Sequence, residues 1–341
     1  VTFMAKPMEG VAGSGEHTHL GLAAKLKDGR VVSMFSSKDG KDFLNVIGYG
    51  ALMGILNNYE VINPFISATN DAFNRLKPGF EAPVCTVTSM GHSVEAPSRN
   101  RTVLAGLIRE AGNPLATRFE LRSPNPNSNT YLVIAASYMA MLDGIRAAVT
   151  AGKTPAELEK SISKKKDEED FYLETGREYR SEKDVFAHYT PEERDDIFGR
   201  PPETVWENIT AFDKYPEKLE IFKSGGVMTD IVLESYREAI VNQWATELYN
   251  RIIPNAMDTV RSCRKLHNES ATDYDIGMWA KISAQRDKIA KNTMNKFCIL
   301  KKISDALDKA DYNLASRLQL EAQREIRKLI DMYSSYKRNL L

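Results

Sequence analysis

The sequence is poor in cysteine. Its 341 residues contain three cysteines, Cys85, Cys263 and Cys298, which stand far apart and show no paired spacing. So few cysteines exclude a disulfide scaffold, and their separation excludes a zinc site built from cysteine pairs. Unpaired cysteines are typical of a reducing compartment. We therefore predict a cytoplasmic protein without disulfide bonds.

The sequence also lacks an excess of either charge. Its 46 basic residues balance its 46 acidic residues, so the formal net charge is zero. A neutral chain has no general electrostatic attraction for nucleic acid or for an anionic membrane surface. No uninterrupted apolar run approaches the ~20 residues that span a bilayer. We expect no nucleic-acid partner and no membrane partner, and any anion site must be local.

What the sequence does have is an unusual strand pattern, Arg118-Phe119-Glu120-Leu121-Arg122. Successive side chains of a strand point to opposite faces, so the two arginines share a face with Glu120. A carboxylate within ~7 Å of two guanidiniums suits a site in which the acid binds a metal and the cations bind phosphates or carboxylates. The alternative is a solvated edge strand with a structural ion pair.

A glycine-rich stretch precedes two histidines near the start of the chain. Gly10, Gly13 and Gly15 let the backbone approach a ligand closely, because glycine has no side chain. His17 and His19 lie two residues apart and share a face if the chain is extended there. The alternative is a simple turn followed by two exposed histidines.

The pattern of apolar residues predicts a mixed α+β domain in the first part of the chain. We expect a break at Asn63-Pro64 and a core helix that stops near Gly152. The predicted elements are an opening strand over Val1–Pro7, a hairpin over Leu20–Phe35 that turns at Asp28-Gly29, helices over Asp42–Tyr59, Ser67–Phe73 and Asn129–Ala151, and paired strands over Arg101–Ile108 and Arg118–Ser123.

The second part of the chain is predicted to be helical. A charged insertion occupies about 153–200, where Thr190-Pro191 begins a helix, and a helix over Glu203–Lys223 is broken at Tyr215-Pro216. A long helix from Thr229 is expected to stop at Pro254. After it, apolar residues recur at spacings of three and four, as in Leu318, Ala322, Ile326, Leu329, Tyr333 and Tyr336. We predict one domain over 1–254 and a helical extension over 255–341.

Three stretches occur together in an order typical of one family: Lys6–His19, Asn74–Val84 and Arg118–Leu132. In this combination the chain resembles the catalytic domain of glutamine synthetase, and Phe222–Asp230 resembles the last stretch of that domain. The resemblance implies an antiparallel sheet covered by helices. The insertion and the helical tail resemble the large bacterial type III branch. Since the chain begins with Val1 rather than Met, we expect a missing N-terminal part with a small β-grasp domain.

The resemblance implies an ATP-dependent ligase that joins ammonia to the side-chain carboxylate of glutamate through a γ-glutamyl phosphate. ATP is then a co-substrate and Mg²⁺ (or Mn²⁺) the cofactor. Phosphoryl transfer needs cations that neutralise the charge on the phosphate oxygens. Attack on the acyl phosphate needs an acid that takes a proton from ammonium.

The resemblance also implies a role for individual residues. His17 and Glu120 would each bind one metal ion, and Glu81, Arg101 and Arg122 would be catalytic. Glu81 would close the glutamate entrance and help to draw protons from ammonium. The glutamate-binding residues would be Gly13, Arg75, Glu81 and Arg122, and the ATP-binding residues would be His19, Arg101 and Arg118.

The resemblance further implies a large homo-oligomer of stacked rings whose active sites are shared between subunits. We therefore expect this chain alone to be inactive. Two other functions remain open: a γ-glutamyl ligase that acts on another amine, and a structural relative without catalysis. The retained histidine, acids and arginines argue against the structural relative, because clustered charge costs stability.

Overall fold

The computed structural model describes residues 2–7, 12–76, 85–110, 112–269, 271–294 and 296–340. The chain divides into two compact units, Val1–Arg237 and Glu238–Leu341. The first unit combines a small sheet with many helices, which confirms the predicted mixed α+β class. The predicted domain boundary at residue 254 stays a prediction.

Within its described residues, the first unit contains six short strands: β1 Thr18–Leu20, β2 Ala23–Lys25, β3 Val31–Ser33, β4 Thr88–Ser89, β5 Ala105–Ile108 and β6 Arg118–Leu121. Four of them form a sheet in the order β1-β6-β5-β4. The pairs of β6 with β1 and β5 are antiparallel, as expected, whereas β4 pairs parallel with β5. The predicted hairpin is present as β2 and β3, with Gly29 at a φ of 87° in its turn.

The alternation predicted for β6 is confirmed by the burial of its side chains. Phe119 and Leu121 are fully buried, whereas Arg118 and Glu120 are half-buried on the opposite face. Phe35 stacks on Phe119 with the ring centroids 5.0 Å apart. This apolar packing fixes the strand from behind and turns its charged side chains toward the open face.

The helices of the first unit are α1 Val46–Asn57, α2 Tyr59–Ile66, α3 Asn70–Arg75, α4 Thr130–Thr150, α5 Pro155–Ile162, α6 Val185–His188, α7 Pro191–Phe198, α8 Val205–Ile209, α9 Ala211–Lys214 and α10 Pro216–Leu219. Helix α11, Asp230–Glu247, contains the boundary between the units. Asparagine side chains cap α1 and α4, at Asn45 and Asn129. The predicted start of α7 is confirmed by a capping box at Thr190.

Helices α1 and α4 form the main helix pair of this unit. They approach closely because glycines face each other: a Cβ on Gly54 would lie 2.0 Å from the carbonyl oxygen of Ala140, and one on Gly144 would lie 2.1 Å from that of Gly50. With 21 residues, α4 is long and apolar enough to span a membrane by length and composition alone. This corrects the prediction that no segment reaches that length, and its buried face packs against α1.

Two proline positions and the opening strand differ from the prediction. Pro64 lies inside α2, because at this place a proline removes a single intrahelical hydrogen bond and the burial of Phe65 and Ile66 offsets the loss. Pro254 does not end a helix. It lies in the first turn of the next helix, after a π-helical segment, Leu248–Ile252. Residues 2–7 form no strand.

The charged insertion carries exposed ion pairs, such as Lys166 with Asp196 at 2.6 Å. A buried network lies beneath it, in which Glu60 of α2 contacts Arg177 and Lys218. Burial alone would raise the pKa of Glu60, but the charges of Arg177 and Lys218 hold that pKa below its ordinary value. These contacts tie the insertion to α2.

The second unit is a bundle of helices: α12 Ile253–Ser262, α13 Asp273–Ala290, α14 Ile299–Asp308 and α15 Tyr312–Leu340. Its core confirms the apolar pattern predicted from the sequence: Leu318, Ala322, Leu329 and Tyr336 are buried, and Ile326 and Tyr333 pack against them. The three cysteines, all within the described residues, are free as predicted.

The close pairing of α1 and α4 predicts different outcomes for two glycine substitutions. Gly144→Ala should lower the free energy of unfolding by about 2–3 kcal/mol, because the new methyl group meets backbone that cannot yield. The control is Gly277→Ala in α13, where a Cβ meets nothing within 4 Å. It should raise the stability by about 0.5–1 kcal/mol. Urea denaturation of both variants measures this, and equal midpoints would contradict the packing.

Candidate active site

The pairing of three strands places the predicted site residues on one face of the sheet. His19 on β1 lies opposite Glu120 on β6, and Gly106 on β5 lies opposite Glu120 from the other side. Side chains directly opposite each other in an antiparallel pair point to the same face. A Cβ on Gly106 would meet nothing within 4 Å. The face therefore carries His19 on one side of Glu120 and open space on the other, at Gly106.

One carboxylate oxygen is shared at the centre of this face. Oε1 of Glu120 lies 2.8 Å from Nδ1 of His17 and accepts a hydrogen bond of 2.7 Å from Nη1 of Arg122. The exposed fraction of the side chain falls from 32% for His17 to 17% for Glu120 and 6% for Arg122. The arginine is therefore the buried support of the carboxylate, and the histidine lies at its accessible side.

The surroundings of His17 disfavour its charged form. Burial lowers the pKa of His17, and the charge of Arg122 lowers it further, against the opposing effect of Glu120. A neutral imidazole has one ring nitrogen with a free lone pair, which is the form that binds a metal ion. The charge balance around His17 therefore suits a metal ligand better than a permanent cation.

Arg75, the last residue of α3, is buried behind this cluster. Its Nη1 donates to the carbonyl oxygen of Ser123 at 2.8 Å, and its Nη2 donates to that of Arg122 at 2.9 Å. Nη2 also lies 3.5 Å from Nε2 of His17. Burial, opposed by Tyr59 and reinforced by Arg122, lowers the pKa of Arg75 to about 10, so it stays charged near neutral pH. In this structure Arg75 fixes the backbone where the chain leaves β6.

Gly13 and Gly15 lie in close contact with the backbone of Ala5 and with the side chains of Arg75 and His17. A Cβ on Gly13 would lie 2.6 Å from the carbonyl oxygen of Ala5. A Cβ on Gly15 would lie 2.5 Å from Nη2 of Arg75 and 2.9 Å from Nε2 of His17. Real Cβ contacts do not come this close, so the loop reaches its place only because these positions lack a side chain.

The other predicted residues lie around the same face. Nε of Arg118 donates to Nδ1 of His19 at 2.9 Å, which joins two of the three predicted ATP-binding residues. The carbonyl oxygen of Arg101 accepts a hydrogen bond of 3.0 Å from Nε of Arg122. Glu81, predicted to be catalytic and to bind glutamate, lies outside the described residues. The roles of all these residues stay predictions.

The donor set fits a divalent metal in part. His17 and Glu120 supply one nitrogen and one carboxylate, whereas Mg²⁺ takes about six ligands, mostly oxygen. Across the described ranges, no group of three or more His, Cys, Asp or Glu side chains is placed to hold a metal ion. The remaining ligands of a complete site would be water, substrate phosphate oxygens, or residues outside those ranges or on another chain.

Sequence reasoning missed Asp71, a buried residue of α3. Its Oδ2 accepts hydrogen bonds from the backbone N–H groups of Ala5 and Lys6. One signal was available: Asp71 precedes Arg75 by four residues, so both lie on one face of the helix. The target of the carboxylate, a backbone segment about 65 residues earlier, leaves no pattern in the sequence.

Comparison with known proteins supplies the relationship. Residues 1–177 match the family model described as the glutamine synthetase catalytic domain. The chain is similar to the glutamine synthetase of Clostridium saccharobutylicum, with 36% identity over 165 residues, which are 47% of this chain and 32% of that protein. For the glutamine synthetase of Methylococcus capsulatus the identity is 30% over 243 residues, 69% of this chain and 40% of that protein.

The glutamine synthetase of Sulfolobus acidocaldarius is 38% identical over 151 residues, which are 44% of this chain and 30% of that protein. The chain spans about a third of the length of these relatives. The matched part includes the sheet and the face that carries His17, Glu120 and Arg122.

The site geometry predicts that alanine is costly at one glycine and tolerated at another. Gly15→Ala should lower the free energy of unfolding by about 1–2 kcal/mol, because Arg75 and His17 must move away from the new methyl group. Gly106→Ala, next to open space on the same face, should change it by less than about 0.5 kcal/mol. Urea midpoints test this, and a Gly106→Ala variant as unstable as Gly15→Ala would contradict the geometry.

Proposed function

This chain belongs to the glutamine synthetase catalytic-domain family, and from that premise we propose that it acts in the ATP-dependent joining of ammonia to glutamate. The observation that carries the proposal is the shared carboxylate of Glu120, held between buried Arg122 and neutral His17 on the open face of the sheet. A structural ion pair has no need of a histidine on its accessible side. We also propose that the reaction passes through a γ-glutamyl phosphate and that the protein is located in the cytoplasm.

We assign the metal to the accessible side of this cluster. Because their side chains lie 2.8 Å apart, His17 and Glu120 would share one Mg²⁺ (or Mn²⁺) ion rather than bind one ion each. The bound ion would neutralise phosphate charge during phosphoryl transfer. Arg122 orients the Glu120 carboxylate by donating a hydrogen bond to it. Breaking that buried pair would leave one charge without a partner. Arg122 therefore stabilises the carboxylate of Glu120 even before a substrate binds.

The substrates would occupy opposite ends of the same face. At the end near α3, Arg75, Arg122 and the backbone at Gly13 are the proposed glutamate site, since a guanidinium offers planar donors for a carboxylate. At the other end, Arg118, His19 and Arg101 are the proposed ATP site. The hydrogen bond from Arg118 to His19 would orient the pair for phosphate. Glu81 keeps its proposed part in proton transfer from ammonium.

The incomplete ligand set supports a site that is shared between subunits. Two protein ligands hold a divalent ion weakly, so a tightly bound ion would gain from further oxygens supplied by a neighbouring subunit, beside those of water and phosphate. We propose a large homo-oligomer of stacked rings, as the family resemblance implies, with a type III-like arrangement. The helical residues 255–341 would pack between subunits or rings.

The direct test is the formation of glutamine, or of γ-glutamyl hydroxamate, from glutamate, ATP and Mg²⁺. The protein tested carries this chain behind the N-terminal part that the resemblance predicts. Glu120→Gln should reduce kcat by at least about 100-fold, because it removes the metal-binding charge. The control Glu217→Gln, at an exposed position in α10, should keep full activity.

Three outcomes would change the assignment. Equal activity of wild type and Glu120→Gln would move the metal site away from β6. Faster reaction with an amine such as a polyamine than with ammonia would favour the other γ-glutamyl ligase. No activity in the wild type would favour the structural relative.

The shared site also predicts the behaviour of this chain alone. It should show no glutamate-dependent and ammonia-dependent ATP hydrolysis, because its described residues bring only two metal ligands together. A coupled ADP assay with each substrate omitted in turn measures this. Hydrolysis that requires both substrates would show that the chain carries a complete site.

A further inference from the structure

Asp71 is a buried carboxylate that the proposed chemistry does not use. It is 3% exposed and lies on α3, four residues before Arg75. Burying a carboxylate is costly unless hydrogen bonds satisfy it. Here the bonds come from the backbone of a segment far away in the sequence, so the helix holds a distant piece of chain in place.

The first contact joins α3 to Ala5 and Lys6. These residues precede the glycine loop, which comprises residues 13–15. Oδ2 of Asp71 accepts hydrogen bonds from the N–H groups of Ala5 and Lys6. The carbonyl oxygen of the same fully buried Ala5 accepts a hydrogen bond of 2.8 Å from the N–H of Ser14, in the middle of that loop. Two hydrogen bonds therefore lead from Asp71 to the glycine loop.

The second contact joins the loop to the end of β6. The N–H of Glu16 donates to the carbonyl oxygen of Pro124 at 2.9 Å. Arg75 donates to the carbonyl oxygens of Ser123 and Arg122. The path from Asp71 through the loop to β6 thus returns to the same helix at Arg75. These contacts form a closed path that passes next to His17.

We propose that Asp71 is a positioning residue for the glycine loop, and that it sets how the loop and Arg75 meet the carboxylate end of the substrate. This inference rests on the proposed function, since it gives the loop a glutamate-binding task. The clearances support it: a Cβ on Gly13 would lie 2.6 Å from the carbonyl oxygen of Ala5, and one on Gly15 would lie 2.5 Å from Nη2 of Arg75, so the loop packs directly on both groups. Releasing Ala5 would remove one of these two contacts.

A merely structural role for Asp71 makes a different prediction. An acid in the first turn of a helix stabilises that helix by its charge, and Asp71 occupies such a position in α3. In that case its loss would destabilise the whole unit evenly. In the positioning role, its loss releases residues 12–16 selectively, and an uncharged acceptor in the same place restores them.

Hydrogen exchange on the full chain tests the contacts without any assay of activity. In Asp71→Ala, amides of the peptide 12–16 should exchange at least about tenfold faster than in wild type, while those of α4 stay unchanged. Asp71→Asn keeps an acceptor oxygen and should stay within about threefold of wild type. Asn208→Ala is the matched control, because it removes another buried hydrogen bond, to the carbonyl oxygen of Ser67, without contact to Ala5.

Unchanged exchange at 12–16 in Asp71→Ala overturns the proposal, and so does exchange that rises equally in α4. If Asp71→Ala does not fold, Asp71→Asn carries the test. Wild-type exchange at 12–16 supports the contact through an uncharged acceptor, and tenfold faster exchange there overturns the proposal.

Kinetics of the longer protein test the glutamate part. Asp71→Ala should raise KM for glutamate by about tenfold or more with a smaller change in kcat and in KM for ATP, and Asp71→Asn should recover it. Unchanged KM for glutamate together with faster exchange would overturn the glutamate role. If the wild type makes no glutamine, the proposed function fails, and the exchange result still decides whether Asp71 positions the loop.

Discussion

A single carboxylate oxygen organises the candidate site. Oε1 of Glu120 meets Arg122 at 2.7 Å and His17 at 2.8 Å, and these contacts join β6 to the segment that leads into β1. The buried guanidinium of Arg122 needs acceptors for its hydrogen bonds, so its position constrains that of Glu120, and Glu120 constrains that of His17. The glycine loop lies directly against His17 and Arg75.

Much of this arrangement follows from local patterns. The alternation of Arg118 to Arg122 predicted both the buried apolar face and the charged face of β6, because strand geometry alone decides which side chains share a face. The spacing of Leu318, Ala322, Leu329 and Tyr336 likewise predicted the core of the second unit. In both cases the signal lies within one element.

Local patterns do not predict interactions between elements that are distant in the sequence. The helical position of Pro64 depends on the burial of α2, and a local rule for proline does not include that burial. The close approach of α1 and α4 depends on glycines in two separate helices. Asp71 was missed for the same reason, since its partners are backbone N–H groups. Backbone groups look alike in every sequence.

The catalytic metal is expected on the accessible side of the pair formed by His17 and Glu120. A crystal structure of the longer protein soaked with Mn²⁺ and ADP, with anomalous scattering at the manganese edge, tests it most directly. We expect an anomalous peak within coordination distance of both side chains, in place of their direct 2.8 Å contact. Manganese bound elsewhere, with the contact between His17 and Glu120 intact, would contradict it.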